Sequence, residues 1–357
     1  MTDPLKSTLI QLFIIAAISP SVTFAQADQS AWLFKTRIQQ GFEYDSNTLE
    51  AKENLESDAL YKLILSTQAK ISGKGWLGQL HYHGGFHRYF FSPSENKLTN
   101  DLQTYFVHNL MKNRISIGGQ ALVRFKYFHH HDWEYSLSNI EPFIAATVFQ
   151  TRLAISFNFE QLHYFEYDQF NFKARTISLS AGKRLHGNVR LQLKAGQQTR
   201  NYDRFALVYK PFLDSALYSN LLQKDVFNFG GFELSLQKRM LCSIEYVFQD
   251  NASNSYGFTY TQHRLTVSAA VPLKNGMLIR LLSGLQRKEY AESLNRIIVT
   301  ELDTERENSN FFIIDFSRNL SSTLNLLVRG SWFNNESPIP GRYYQKSLTS
   351  ICLEYSF

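Results

Sequence analysis

The chain has 357 residues, a formal charge of +6 and a pI near 9.1; it is 15% aromatic, with 29 Phe and 19 Tyr, yet its mean hydropathy is only −0.27. Beyond residue 27 no run approaches the roughly 18 apolar residues of a membrane helix, which excludes a helical membrane protein. Basic residues are spread along the chain instead of clustered, which excludes a nucleic-acid-binding surface, and two cysteines, Cys242 and Cys352, fall far short of a disulfide framework.

The N-terminus carries Lys6, then an apolar stretch from Leu9 to Ile18 broken only by Gln11, then small residues at Ala25 and Ala27. A short apolar region with a small-residue exit predicts a secretory signal peptide over residues 1–27, with Thr23-Phe24-Ala25 as a competing cleavage site. No Cys lies near that site, so no lipid attachment is expected. The folded part is then 28–357, one domain without a linker or repeat.

From there the pattern has a period of two. Strands are predicted at 31–45, 59–72, 76–90, 100–112, 114–128, 140–149, 152–164, 172–183, 189–201, 225–237, 240–250, 259–271, 276–290, 307–318, 323–333 and 344–356, roughly sixteen in all. Short polar turns such as Gly73-Lys74-Gly75, Lys112-Asn113, Lys238-Arg239 and Lys274-Asn275 alternate with longer links at 46–58, 91–99, 129–139, 202–224, 291–306 and 335–343. A β-sandwich would scatter its loop lengths; alternation of tight and long connections fits a membrane barrel. Ten residues at about 3.4 Å each, tilted by about 40°, also cross an apolar band near 25 Å tall. The expected fold is therefore all-β, a single closed antiparallel transmembrane β-barrel of about sixteen strands (fourteen to eighteen), wide enough to admit water.

Facing follows from cost. In 189–195, Val189, Leu191, Leu193 and Ala195 alternate with Arg190, Gln192 and Lys194; in 262–271, Leu265, Val267, Ala269 and Val271 alternate with Gln262, Arg264, Thr266 and Ser268. A Lys or Arg at the bilayer midplane costs about 2–4 kcal/mol, so the apolar set must face lipid. Extended along the chain, the rule lines the lumen with Lys35, Arg37, Arg124, Lys126, Arg190, Lys194, Arg200, Arg264, Arg280, Lys288, Arg329 and Lys346. The acids it places there are fewer: Glu43, Glu160, Glu233, Glu245, Asp315 and Glu354. Cross-strand pairing accounts for part of this charge, and the positive surplus predicts a channel that favours anions. Cys242 falls on the lipid face and Cys352 on the lumen face, so both thiols are expected free. Trp32, Trp76 and Trp332, with Tyr44, Tyr89, Phe90 and Tyr127, lie near strand ends as interfacial girdles would; as a sugar-stacking path they would have to point inward, and most have outward parity.

In the link 202–224, Leu213, Ala216, Leu217 and Leu221 repeat at helical spacing after Pro211, which predicts a short helix in the lumen or across the mouth. His81, His83 and His87 share one strand face, and His129-His130-His131 form a loop run. Imidazoles at i and i+2 can ligate a metal, but no carboxylate stands at a telling spacing, so neither a metal nor any other cofactor is assigned. No Gly-x-Ser-x-Gly, His-Glu-x-x-His or His-x-Ser-Asn-Gly occurs, and the chain is not read as an enzyme.

The chain ends with Ile351, Leu353, Tyr355 and Phe357 alternating with Ser350, Cys352, Glu354 and Ser356. This resembles the C-terminal assembly signal of bacterial outer-membrane β-barrels, polar-x-Gly-x-x-aromatic-x-aromatic, matched at Ser350, Tyr355 and Phe357, with Cys352 where Gly is usual. Gly41-Phe42-Glu43-Tyr44-Asp45-Ser46-Asn47, besides suiting a plain turn, resembles the first-strand ending of surface lipoprotein assembly modifier barrels and related porins of exopolysaccharide systems. The resemblance implies an outer-membrane location, contact with lipid and lipopolysaccharide, insertion by the barrel assembly machinery, and passive passage of small solutes or oligosaccharides. An alternative is surface delivery of lipoprotein or exopolysaccharide with a periplasmic partner of unknown identity; the helical repeats that precede the barrel in the lipoprotein modifiers do not occur here.

Overall fold

A computed structural model describes residues 32–50, 53–111, 114–129, 134–185, 187–292, 310–335 and 344–357. The proposed signal peptide, His130, His131 and most of the 291–306 and 335–343 links lie outside the described residues.

Sixteen strands follow one another: β1 (Trp32–Asp45), β2 (Asp58–Gly73), β3 (Trp76–Tyr89), β4 (Lys97–Leu110), β5 (Ile115–Phe128), β6 (Tyr135–Val148), β7 (Thr151–Tyr164) and β8 (Phe172–Arg184). They continue as β9 (Val189–Lys210), β10 (Ser215–Gln237), β11 (Leu241–Ser253), β12 (Tyr260–Pro272), β13 (Met277–Tyr290), β14 (Asn310–Asn319), β15 (Leu324–Asn335) and β16 (Tyr344–Ser356). Each pairs antiparallel with its sequence neighbours, and β1 pairs with β16 to close the barrel. Closure leaves no unpaired edge, as a wall of exposed backbone groups in an apolar medium requires.

The tight turns sit at one end. At Phe149-Gln150 both central residues have positive φ (48° and 65°), the geometry whose twist matches that of a two-residue hairpin. The opposite end carries the longer links, two of them containing 3-10 turns at Pro93–Glu95 and Asp168–Phe170.

Residues directly opposite in an antiparallel ladder share a face, so the register sorts every side chain into one of two sets. One set holds Phe42, Ile117, Ile144, Leu179, Leu193, Leu285, Ile314 and Ile351, all exposed, Leu179 by 60%. The other holds the buried polar groups Glu43, Asp45, Lys62, Asp315 and Ser350. When a sheet curls shut, side chains on its concave side converge and those on its convex side splay. The polar set is therefore the inner one. The apolar band spans many adjacent strands, far more contiguous apolar surface than a water-soluble monomer exposes.

One expectation is overturned. The 202–224 segment is not a plug helix: β9 and β10 run on to 22 and 23 residues and form a long hairpin with a 3-10 turn, Pro211–Leu213, at its tip. Ser215 pairs with Lys210, Ala216 with Tyr209 and Leu217 with Val208, and Asp214 takes the left-handed conformation that reverses the chain. Val208, Tyr209 and Tyr218 are strand-favouring residues, and the ladder of backbone bonds outweighs the helical spacing of four apolar side chains. The hairpin packs on the link between β11 and β12, where Tyr209 stacks on Tyr256 at 5.1 Å. Ala206 and Leu207 are buried, while the apolar residues nearer its tip stay exposed, Phe212 by 81%.

Candidate functional site: the concave wall

The register places Lys35, Arg37 and Glu43 of β1, Arg124 and Lys126 of β5, Glu160 of β7, and Arg190, Lys194 and Arg200 of β9 on the concave face. The same face takes Glu233 of β10, Glu245 of β11, Arg264 of β12, Arg280 and Lys288 of β13, Asp315 of β14, Arg329 of β15, and Lys346 and Glu354 of β16. His81, His83 and His87 are there too, opposite Gln68, Ser66 and Lys62. Among the described residues no group of His, Cys, Asp and Glu gathers to hold a metal ion. Both cysteines are free, Cys352 buried on the concave face and Cys242 on the convex one.

Most inner carboxylates are consumed by neighbours. Lys62 Nζ meets Glu43 Oε2 at 2.9 Å, and Arg124 grips Asp101 through two bonds of 2.8 and 3.0 Å. Asp315 receives Arg329 and Arg280, the latter at 3.1 Å. Lys346 reaches Asp45 at 2.8 Å and Glu50 at 3.4 Å. Glu233 and Glu245 stand directly opposite each other, a repulsive placement eased by Arg190, Lys194 and Arg264 on the diagonals. Lys35, Arg190, Lys194, Arg200 and Arg264 have no carboxylate within ion-pair distance among the described residues. The inner wall keeps positive charge that its own acids do not cancel.

The sequence reading missed several participants. Lys62, Asp101, Arg204 and Asp225 belong to the inner face, as do the rings of Tyr89, Phe172, Tyr202, Phe227, Tyr260 and Tyr344. Lys62 sits in the run Leu60-Tyr61-Lys62-Leu63-Ile64-Leu65, where apolar residues occupy both parities and hide the alternation. The assignment of Tyr89 to an outward girdle is corrected: it pairs with Leu60 on the concave face, is buried, and donates its hydroxyl to Asp45 at 3.1 Å.

Those rings form an inner tier at the end that bears the long links, and cations lie across them. Lys97 lies over Tyr89 at 5.8 Å, Lys126 over Phe128 at 4.8 Å and Lys288 over Tyr260 at 4.8 Å. Arg200 lies over Phe172 at 4.3 Å and Phe227 at 5.0 Å; Arg204 lies over Tyr202 at 4.6 Å and Phe258 at 5.0 Å. Below Tyr164 and Phe172 the 168–170 turn folds inward, and Phe170 packs with Leu162, Tyr164, Ala174 and Tyr202 on the concave face of β7, β8 and β9. The turn thus covers that part of the concave face.

No protein-family model matches this chain, and no curated protein matches it. Among solved structures it is similar to CdiB from Acinetobacter baumannii (TM-score 0.48, 6% identity, 90% of this chain and 60% of that one) and to a bacterial polysaccharide outer membrane secretin (TM-score 0.45, 7% identity, 91% and 98%). A BenF-like porin from Pseudomonas fluorescens Pf-5 is likewise similar (TM-score 0.45, 9% identity, 93% and 100%). At such identities the likeness is one of fold alone: the structural neighbours are outer-membrane β-barrels.

Proposed function

We propose that the mature protein spans the bacterial outer membrane as a porin-like channel through which small solutes or oligosaccharides pass passively, with anions preferred. The observation that carries this reading is the uncancelled positive charge of the concave wall inside a closed barrel of sixteen strands, a width that leaves an aqueous interior. The exposed convex band supplies the lipid-facing surface. Tyr355 and Phe357, edge-to-face at 4.6 Å on the convex side of the last strand, would be read by the assembly machinery, and lipopolysaccharide would surround the band. Planar bilayers with purified protein under a potassium chloride gradient test the reading. The expected result is stepwise conductance with a reversal potential on the chloride side; cation preference or a silent membrane would refute it.

A further inference from the structure

We infer that a half-open cavity of about 260 Å³ on the concave wall of β9 to β12 binds a small zwitterion of the α-amino-acid kind, its carboxylate on Arg190 and its ammonium on Glu233. The inference rests on the concave face being the wall of a water-filled passage. The cavity lies toward the end that bears the tight turns. Its floor is a row of small hydroxyls: Ser235, Ser243 and Ser268 stand directly opposite one another across β10, β11 and β12, and Ser243 and Ser268 bond at 2.8 Å. Short side chains in a row leave a hollow that longer ones enclose, Arg190 and Gln192 from β9 and Glu233 and Gln237 from β10.

The two charged groups are held apart. Arg190 leans along its own strand and donates to Gln192 Oε1 at 3.4 Å, and its guanidinium lies beside Gly182 of β8, where a Cβ would stand 3.4 Å from Nη2. Gly182, Gln192 and Glu233 share one row across β8, β9 and β10. Two strand spacings of about 4.8 Å therefore separate Gly182 from Glu233. A gap of roughly 10 Å is too wide for an ion pair, and two hydrogen bonds of about 2.9 Å with the body of a small zwitterion between them fill it. Neither Arg190 nor Glu233 has an oppositely charged partner within ion-pair distance among the described residues. Arg184 faces Arg190 and Glu245 faces Glu233, so each side is reinforced by its like. Lys194 and Arg264 stand one step toward the end with the long links and pair with neither acid. A solute with a single charge meets one attractive and one repulsive side; one that carries both signs is favoured by both. The Arg190 fork suits a carboxylate, and an ammonium donates to Glu233.

The test is calorimetric titration of the refolded barrel in an uncharged detergent, at low ionic strength and near neutral pH. The probes are L-alanine, N-acetyl-L-alanine, which keeps only the carboxylate, and L-alaninamide, which keeps only the ammonium. Saturable binding of L-alanine is expected, with each one-charge analogue weaker by about tenfold or more. Folding of each variant is checked by its heat-dependent electrophoretic migration. Arg190→Gln should weaken L-alanine about tenfold or more and leave L-alaninamide unweakened. Glu233→Gln should weaken L-alanine to a similar degree and leave N-acetyl-L-alanine unweakened, so a folding defect in one variant leaves the other to decide. Arg287→Gln, exposed on the convex side, should change nothing. The analogue series decides on the wild-type protein alone. No saturable binding of L-alanine to the folded wild-type barrel, an analogue that binds as tightly as L-alanine, or undiminished L-alanine binding to Arg190→Gln and Glu233→Gln would overturn the inference. A barrel that binds but does not conduct defeats the channel reading alone; one that conducts without binding defeats only this one.

Discussion

At the residue scale the Asp45-Ser46-Asn47 ending of the first strand shows how little a local motif says about its own reach. Its turn chemistry was legible: Asp45 Oδ1 accepts from the Asn47 backbone N–H at 3.0 Å, as these residues favour. Its long-range partners were not, because most of them stand about 300 positions away, on β16. Asn47 Nδ2 donates to the Gln345 carbonyl at 2.9 Å, Ser46 and Ser347 bond to each other, and Asp45, fully buried, also holds Lys346 and Tyr89. Gly41 completes the seam, for any Cβ there would collide with the Ile351 carbonyl and the Cys352 sulfur. Asp45→Ala leaves the buried Lys346 ammonium only the longer contact to Glu50 at 3.4 Å and should lower unfolding stability in detergent by up to about 3 kcal/mol. The exposed Arg287–Glu289 pair, of similar length at 2.8 Å, should contribute no more than about 1 kcal/mol when cut by Glu289→Gln. Chemical denaturation of the two variants compares them directly, and equal losses would count against the clasp.

At the scale of elements, strand positions were readable wherever one residue in two faces hydrocarbon. Val189 to Ala195 alternates cleanly, and β9 starts where the pattern starts. Its end was not readable, because beyond Tyr202 the outer face no longer meets a uniform medium and the apolar residues take up a spacing that suits a helix as well. The inward-reaching element is therefore the 168–170 turn, which the sequence did not single out, and not the 202–224 segment. The β9–β10 tip continues the wall, so removing 211–222 should leave single-channel conductance unchanged. The 168–170 turn fills part of the interior, so Phe170→Ala should raise conductance, and loss of a buried ring lowers stability by up to about 3–5 kcal/mol. Single-channel recording of both variants decides: a hairpin deletion that widens the pore, or an alanine variant that does not, would contradict this assignment.

For the whole molecule, the two-faced pattern that told lipid from water also told inside from outside, and so carried the barrel before any contact was known. What it could not carry was which inner charges cancel, since that depends on register between strands: Arg124 finds Asp101 only because β4 and β5 pair with those residues opposite. Positive charge on the wall was legible as a sum, and its uncancelled remainder was not. Removal of 350–357 strips β1 of seven of its nine β16 partners and β15 of six of its twelve. Such a chain should fail to reach the heat-resistant compact form in purified lipid, even with no assembly factor present to read the terminal aromatics; ordinary compaction would show that closure is dispensable.

The meeting of β1 with β16 has a kinetic corollary. Fifteen of the sixteen ladders can zip locally, hairpin by hairpin, while the last must bring together positions as far apart as Asn47 and Gln345. Loop closure over that distance costs on the order of 5 kcal/mol by its logarithmic length dependence, more than twice the penalty of a tight hairpin. A polypeptide whose β16 has not yet been made cannot form this contact at all. Cylinder formation must wait until β16 exists, and until then the open sheet has two sticky margins that only sequestration keeps from aggregating.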